Sequence, residues 1–157
     1  MKNVVQDVER FMRAAAQETP IGPMMTPTAM LYFGNPDDLD IGPNGPMIGG
    51  LVGEEIAELA DAWLRRDDAQ ILDGALDTIW TIVAGLRALG FPIEDGWVEV
   101  ARSNLAKIAA DGTLHRREDG KVMKPEGWTP PDLRGVIDQH GFRAIAAMAR
   151  ANGEARS

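Results

Sequence analysis

The sequence predicts an all-α fold with four principal helices in a bundle, and three observations carry that reading. Apolar residues recur at helical spacing in four separate segments. Prolines, glycines and Asp-Gly pairs mark the breaks between those segments. One segment, TIWTIVAGLRAL, is apolar nearly all round, which requires burial against neighbours on several sides. At 157 residues, 45% of them hydrophobic, the chain fits one ordinary domain spanning 1–157 that can bury a core.

The first helix is expected from about Asn3 to Gln17, where Val4, Val5, Val8, Phe11, Met12 and Ala15 share a face. Pro20, Pro23 and Pro27 would end it. Residues Thr19 to Gly50 then read as a long connection rich in Pro, Gly and Met, the length of a substrate lid or a partner-contacting arm. The second helix covers about Ile48 to Arg65, with Ile48, Val52, Ile56, Leu59 and Trp63 on its apolar face. The third runs from about Ala69 to Leu89 and stops at Gly90; the fourth follows Pro92, from about Ile93 to Ala110, and ends at Asp111-Gly112. Asp119-Gly120 predicts a tight turn and a small hairpin over Leu114 to Met123. Glu126 to Pro131 reads as irregular, and Asp132 to Gln139 and Phe142 to Ala151 as short C-terminal helices.

Composition narrows the chemistry. There is no cysteine, and the only histidines are His115 and His140, so a bound metal would be a hard cation held mainly by oxygen. The N-terminus lacks an apolar signal core and no stretch approaches a membrane span, so a cytoplasmic chain without membrane contact is expected. A net charge of -8 argues against a general nucleic-acid binder. From Glu54 to Asp77 there are eight acidic residues against two basic; from Arg102 to Lys124 there are six basic against three acidic. That polarity suits a phosphate ligand bridged by metal, although two solvated faces would give the same count.

Two neighbouring helices carry the acids. Glu54 and Glu58 are four apart and Glu55 and Glu58 three apart, so like charges meet on one flank at a cost of a few tenths of a kcal/mol per pair. Asp73 and Asp77 share a face of the otherwise apolar third helix, where unpaired buried carboxylates would cost several kcal/mol each. Arg87 lies too far along to pair with them, and a shared divalent cation is the economical partner. The plainer alternatives are an exposed acidic helix start for the glutamates, a helix-start role for Asp73 and a neighbouring hydrogen bond for Asp77. On the fourth helix, Asn104 falls within the stripe of Trp97, Val100, Ala101, Leu105 and Ile108, which predicts a buried amide bonded to a helix or a ligand. Lys107, one turn on, can reach a phosphate.

With these residues in place the chain resembles the all-α NTP pyrophosphohydrolases of the MazG type, whose signature is EExxE on one helix and ExxD on the next. Glu54, Glu55 and Glu58 match the first half, and Asp77 the end of the second. The stretches EVARSNLAK, REDGKVMKPEGW and PPDLRGVI are similar to the MazG-like dUTPase-related branch, with phage MazZ-type dGTP pyrophosphohydrolases as relatives. The resemblance covers Ile48 to about Ile137. It implies a four-helix-bundle core and hydrolysis of a (d)NTP, dGTP or dUTP foremost, to (d)NMP and pyrophosphate. It also implies two or more Mg²⁺ or Mn²⁺ ions on Glu55, Glu58, Asp77 and Asp73, with Glu54 as general base. Asn104, Lys107, Lys121 and Lys124 would contact the nucleotide, and the chain would form a homo-oligomer, a dimer or a tetramer built from dimers. The family pattern places an acid at position 74, where this chain has Gly74. Asp73 would then replace that ligand, act through water, or leave one metal position weak.

Phe11, Tyr32, Phe33 and Trp63 are candidates to stack on a base, or core residues. A di-iron carboxylate bundle would carry Glu-x-x-His, which the second and third helices lack. A non-catalytic helical metal-binding or dimerisation module is the alternative from another class.

Overall fold

The computed structural model describes residues 4–17, 26–38, 41–42 and 45–141. They are predominantly helical and fall into two compact units, Met1–Phe91 and Pro92–Ser157. The all-α class is as the sequence predicts.

In the first unit, α1 (Val4–Ala14) buries Val8 and Met12 completely. It closes before the prolines: Ala16 adopts a left-handed φ of 53°, and the Gln17 N–H donates to the Met12 carbonyl at 3.0 Å. The supposed connection contains a helix that the sequence reading overlooked, α2 (Pro27–Phe33). Pro27 occupies its first turn, the Thr26 hydroxyl accepts from the Ala29 N–H at 3.0 Å, and Gly34 ends it with φ 78°. A 3-10 turn (Pro36–Asp38) follows, then two residue pairs in antiparallel register, Ile41 opposite Pro46 and Gly42 opposite Gly45.

The two long helices are α3 (Gly50–Arg65) and α4 (Asp68–Ala88). Arg66 turns the chain with a left-handed φ of 56°, and the Asp67 side chain caps α4 by accepting from the Gln70 N–H at 3.2 Å. The cap is therefore Asp67, and Asp73 has no helix-start role. So short a turn lays α3 and α4 side by side as a helical hairpin.

Helices α1, α2 and α3 all pack on α4, as its nearly all-round apolar sequence requires. Their shared core comprises Val8, Met12, Ala29, Tyr32, Val52, Ala84 and Ala88. Full burial of a side chain such as Met12 or Val52 contributes roughly 1.5–3 kcal/mol. At Gly85 an added Cβ would stand 2.4 Å from the Phe33 ring, so glycine lets α2 close on α4. The Thr26 hydroxyl donates to the Ala88 carbonyl at 3.1 Å, and Arg87 pairs with Glu9 of α1 at 2.5 Å. Core position also decides two of the candidate stacking residues: Tyr32 is buried, donating to the Gln17 side chain at 3.1 Å, and Phe33 packs against Gly85. Phe11 meets Trp80 edge to face at 5.8 Å.

The opposite end of the hairpin is different. Ile56 and Trp63, expected on a buried face, are exposed, Trp63 by 69%, and Leu64, Leu72 and Leu76 are exposed as well.

In the second unit, α5 (Ile93–Leu105) ends five residues before the expected Ala110. The Lys107 and Ile108 N–H groups donate three residues back, to Asn104 and Leu105, which tightens the chain out of the α-helix. The anticipated hairpin is present, with Arg116 bridged to Val122 and Met123 N–H donating to the His115 carbonyl at 2.8 Å. A last helix, α6, occupies 133–141 of the described residues. The expected helix from Phe142 to Ala151 lies outside them, as do Pro20 and Pro23.

Candidate functional site

The helices that carry the acids, α3 and α4, pack closely against each other. That approach depends on Gly74, whose added Cβ would stand 3.2 Å from the Leu59 Cα and 3.3 Å from its Cβ. Beside it lies a cavity of about 170 Å³ lined by Glu58, Asp61, Arg65, Gln70, Asp73, Gly74 and Asp77. Three of the five predicted acids, Glu58 of α3 and Asp73 and Asp77 of α4, thus line one cavity. Glu54 and Glu55 do not line it. Glu55 is nonetheless tied to the group electrically: partial burial raises its carboxyl pKa, and Asp77, Glu58, Glu54 and Asp73 raise it further, in that order.

Sequence reasoning missed Asp61, Arg65 and Gln70. Asp61 was visible at three residues from Glu58, on the same flank. Arg65 pairs with Asp61 at 2.7 Å. Among the described residues, no lysine or arginine forms an ion pair with Glu54, Glu55, Glu58, Asp73 or Asp77.

Asp73 and Asp77 are exposed, because the described residues do not cover the flank of α4 that carries them. Their cost is therefore mutual repulsion in a hydrated cleft, not desolvation. For a metal, the donor chemistry fits: the acids are all oxygen donors, without thiolate or imidazole, which suits Mg²⁺ or Mn²⁺. Among the described residues, however, no three Asp, Glu or His side chains stand close enough together to hold one ion. Ligation would require the exposed carboxylates to turn inward.

The predicted nucleotide contacts lie in the second unit. Asn104 is exposed, correcting the expected buried amide, and its Oδ1 accepts from Lys107 Nζ at 2.8 Å. The polar residue α5 does bury is Ser103, whose hydroxyl donates to the Thr129 carbonyl at 3.1 Å. Lys107, just past the end of α5, and Lys124 both approach the Trp128 ring, at 5.7 and 4.1 Å from its centroid. Asn104, Lys107 and Lys124 are thus gathered around Trp128. Lys121 sits on the hairpin, its backbone N–H donating to Asp119 at 3.0 Å. Arg116 and Arg117 are surface residues of that hairpin, engaged with the Gly120 carbonyl and the Asp119 carboxylate.

Among the described residues no single helix is long and apolar enough to cross a membrane. No curated protein matches the chain. The family model for phosphoribosyl-ATP pyrophosphohydrolase does match, over residues 42–104. The matched stretch takes in α3, α4 and α5 to within one residue of its end, and with them Glu54, Glu55, Glu58, Asp73, Asp77 and Asn104. Across the helices that carry these acids, the chain is similar to a pyrophosphohydrolase family of the MazG-like all-α superfamily.

Proposed function

We propose that the protein is a divalent-metal-dependent nucleoside triphosphate pyrophosphohydrolase that cleaves a (d)NTP to (d)NMP and pyrophosphate. One observation carries this reading: Glu58 of α3 and Asp73 and Asp77 of α4, without ion-pair partners among the described residues, line one cavity beside Gly74. Like charges are not gathered without a compensating cation unless the repulsion is simply tolerated. The match over α3 to α5 supports the same chemistry.

In this reading Glu55, Glu58, Asp73 and Asp77 hold two or more Mg²⁺ or Mn²⁺ ions. Such ions neutralise phosphate charge and acidify a bound water. Glu54, exposed on α3 beside Glu55, takes the proton of the attacking water as that oxygen joins phosphorus and the α–β anhydride breaks. Asn104, Lys107, Lys121 and Lys124 contact sugar and phosphates. dGTP and dUTP are the first candidates from the sequence resemblance, and the matched family adds phosphoribosyl-ATP. The chain acts in the cytoplasm as a homo-oligomer, a dimer or a dimer of dimers. A second copy would cover the apolar groove of Ile56, Leu59, Ala60, Trp63, Leu64 and Ile71.

Pyrophosphate release from dGTP, dUTP, dCTP, ATP and phosphoribosyl-ATP with Mn²⁺ or Mg²⁺ tests the proposal. The expected result is turnover of at least one nucleotide that chelation abolishes. No turnover of any would leave a non-catalytic helical module, and turnover that survives chelation would remove the metal.

A further inference from the structure

Arg65, Arg87, Arg102 and Arg117 are each paired with a carboxylate, on Asp61, Glu9, Glu99 and Asp119. Among the described residues Lys107 and Lys124 have no carboxylate partner; both are directed to the indole of Trp128. An aromatic face attracts an ammonium through its quadrupole, yet leaves the formal charge uncancelled. Its outward N–H groups remain free to donate. A carboxylate would hold a lysine as firmly but would spend its attraction for an anion.

The indole is itself fixed. Trp128 Nε1 donates to the Ser103 carbonyl at 2.8 Å, and the Ser103 hydroxyl returns a bond to the Thr129 carbonyl at 3.1 Å. Arg102 reaches the Pro130 carbonyl at 3.1 Å while Glu99 accepts from Arg102 and from the Asp132 N–H at 2.9 Å. These bonds anchor residues 128–132 along α5. The neutral Asn104 amide adds a second hold on Lys107, again without cancelling its charge.

We propose that Trp128 is a positioning residue that gathers the Lys107 and Lys124 ammonium groups, uncancelled, into a two-lysine grip for the polyphosphate chain of a nucleotide. This inference rests on the nucleotide reading above and adds to it a residue that touches neither phosphate nor metal. Ordering both lysines before the ligand arrives removes part of the entropy that binding would otherwise lose.

The test is titration of inorganic tripolyphosphate into the full chain in excess EDTA, followed by calorimetry, so that no metal contributes. Lys124→Ala and Lys107→Ala establish whether the lysines bind the anion. Trp128→Leu should then weaken binding roughly fivefold, and Trp128→Phe, which keeps an aromatic face, should restore most of it. In the parent protein the Lys124 ε-methylene protons should also be shifted upfield by the indole ring current, a signature that needs no variant to fold. Weaker binding in the lysine variants with none in a folded Trp128→Leu would overturn the positioning role and leave the phosphate reading standing. Unshifted Lys124 protons would overturn it too. Unchanged binding in both lysine variants would remove the phosphate reading and this inference with it.

Discussion

Replacing Asp77 with asparagine should have opposite effects with and without metal. The substitution keeps side-chain shape, and Asp77 is exposed, so little packing is lost. The hydrogen bond that Thr81 makes to residue 77, at 3.0 Å, goes to the backbone carbonyl and survives. What disappears is one negative charge, the neighbouring charge that acts most strongly on Glu55, and one that stands a helical turn from Asp73. Relief of these like-charge contacts is worth about 0.5–1 kcal/mol at low salt. For a chain of this size, that raises the metal-free Tm by roughly 1–4 °C.

With metal the order should reverse. Manganese at about 100 times its dissociation constant would stabilise the parent by about 2.7 kcal/mol. That corresponds to roughly 5–10 °C. Loss even of groups outside the ligand sphere can weaken metal sites by 10- to 100-fold, so loss of a ligand should cost about a hundredfold. The variant would then retain only about 0.4 kcal/mol of the manganese effect at the same concentration. Thermal melts of both proteins in EDTA and in MnCl₂ read the crossover directly, and its metal-free half should shrink as salt rises through about 0.15 M. A lower Tm for Asp77→Asn in EDTA would mean that the carboxylate is satisfied by protein donors. Equal manganese shifts in the two proteins would strike Asp77 from the ligand set.

Three other outcomes follow from the same geometry. The raised Glu55 pKa means that the folded state binds its proton more tightly than the unfolded chain, so the Glu55 contribution to metal-free stability, read as the difference between the parent and Glu55→Gln, should fall as pH rises from about 4.5 through the raised value; a difference that grows with pH across that window would contradict it. Gly85→Ala should cost about 2 kcal/mol in urea unfolding because the Phe33 ring must move, whereas Gly74→Ala, with contacts near 3.2 Å and a helix-propensity gain of about 1 kcal/mol, should cost less; the reverse order would mean the α3–α4 crossing is the tighter one. Trp63→Glu should convert the proposed oligomer to monomers by light scattering, and an unchanged mass would place the interface elsewhere.

The long helices were legible because their signals are redundant. Periodicity and the Gly90 stop agree for α4, and the Asp119-Gly120 turn was strong enough to locate the hairpin; the Asp67 cap went unread. Helix α2 carried good end signals, Thr-Pro before it and glycine after it, but seven residues give a periodic pattern too little length to stand out in a Pro- and Gly-rich stretch. The exposure of Ile56 and Trp63 was invisible for another reason: amphipathic spacing marks a face that avoids water without saying whether its own chain covers it. The same blindness placed Asn104 in a core stripe. A stripe one residue out of phase puts Ser103 inside and Asn104 outside, beside Lys107.

The absent acid at position 74 has a steric account that sequence could not supply. A Cβ there would stand 3.2 Å from the Leu59 Cα and 3.3 Å from its N and Cβ, so it presses mainly on main chain of α3. Moving the carboxylate to position 73 relieves that contact and sets it four residues from Asp77 instead of three, still on one helical face, and both aspartates line the cavity with Glu58. In the proposed reading Asp73 takes the place of that ligand. The substitution that separates the two is Asp73→Asn in the manganese melts: a replacement ligand should lose most of the metal-induced shift, as Asp77→Asn does, whereas a bystander should keep it.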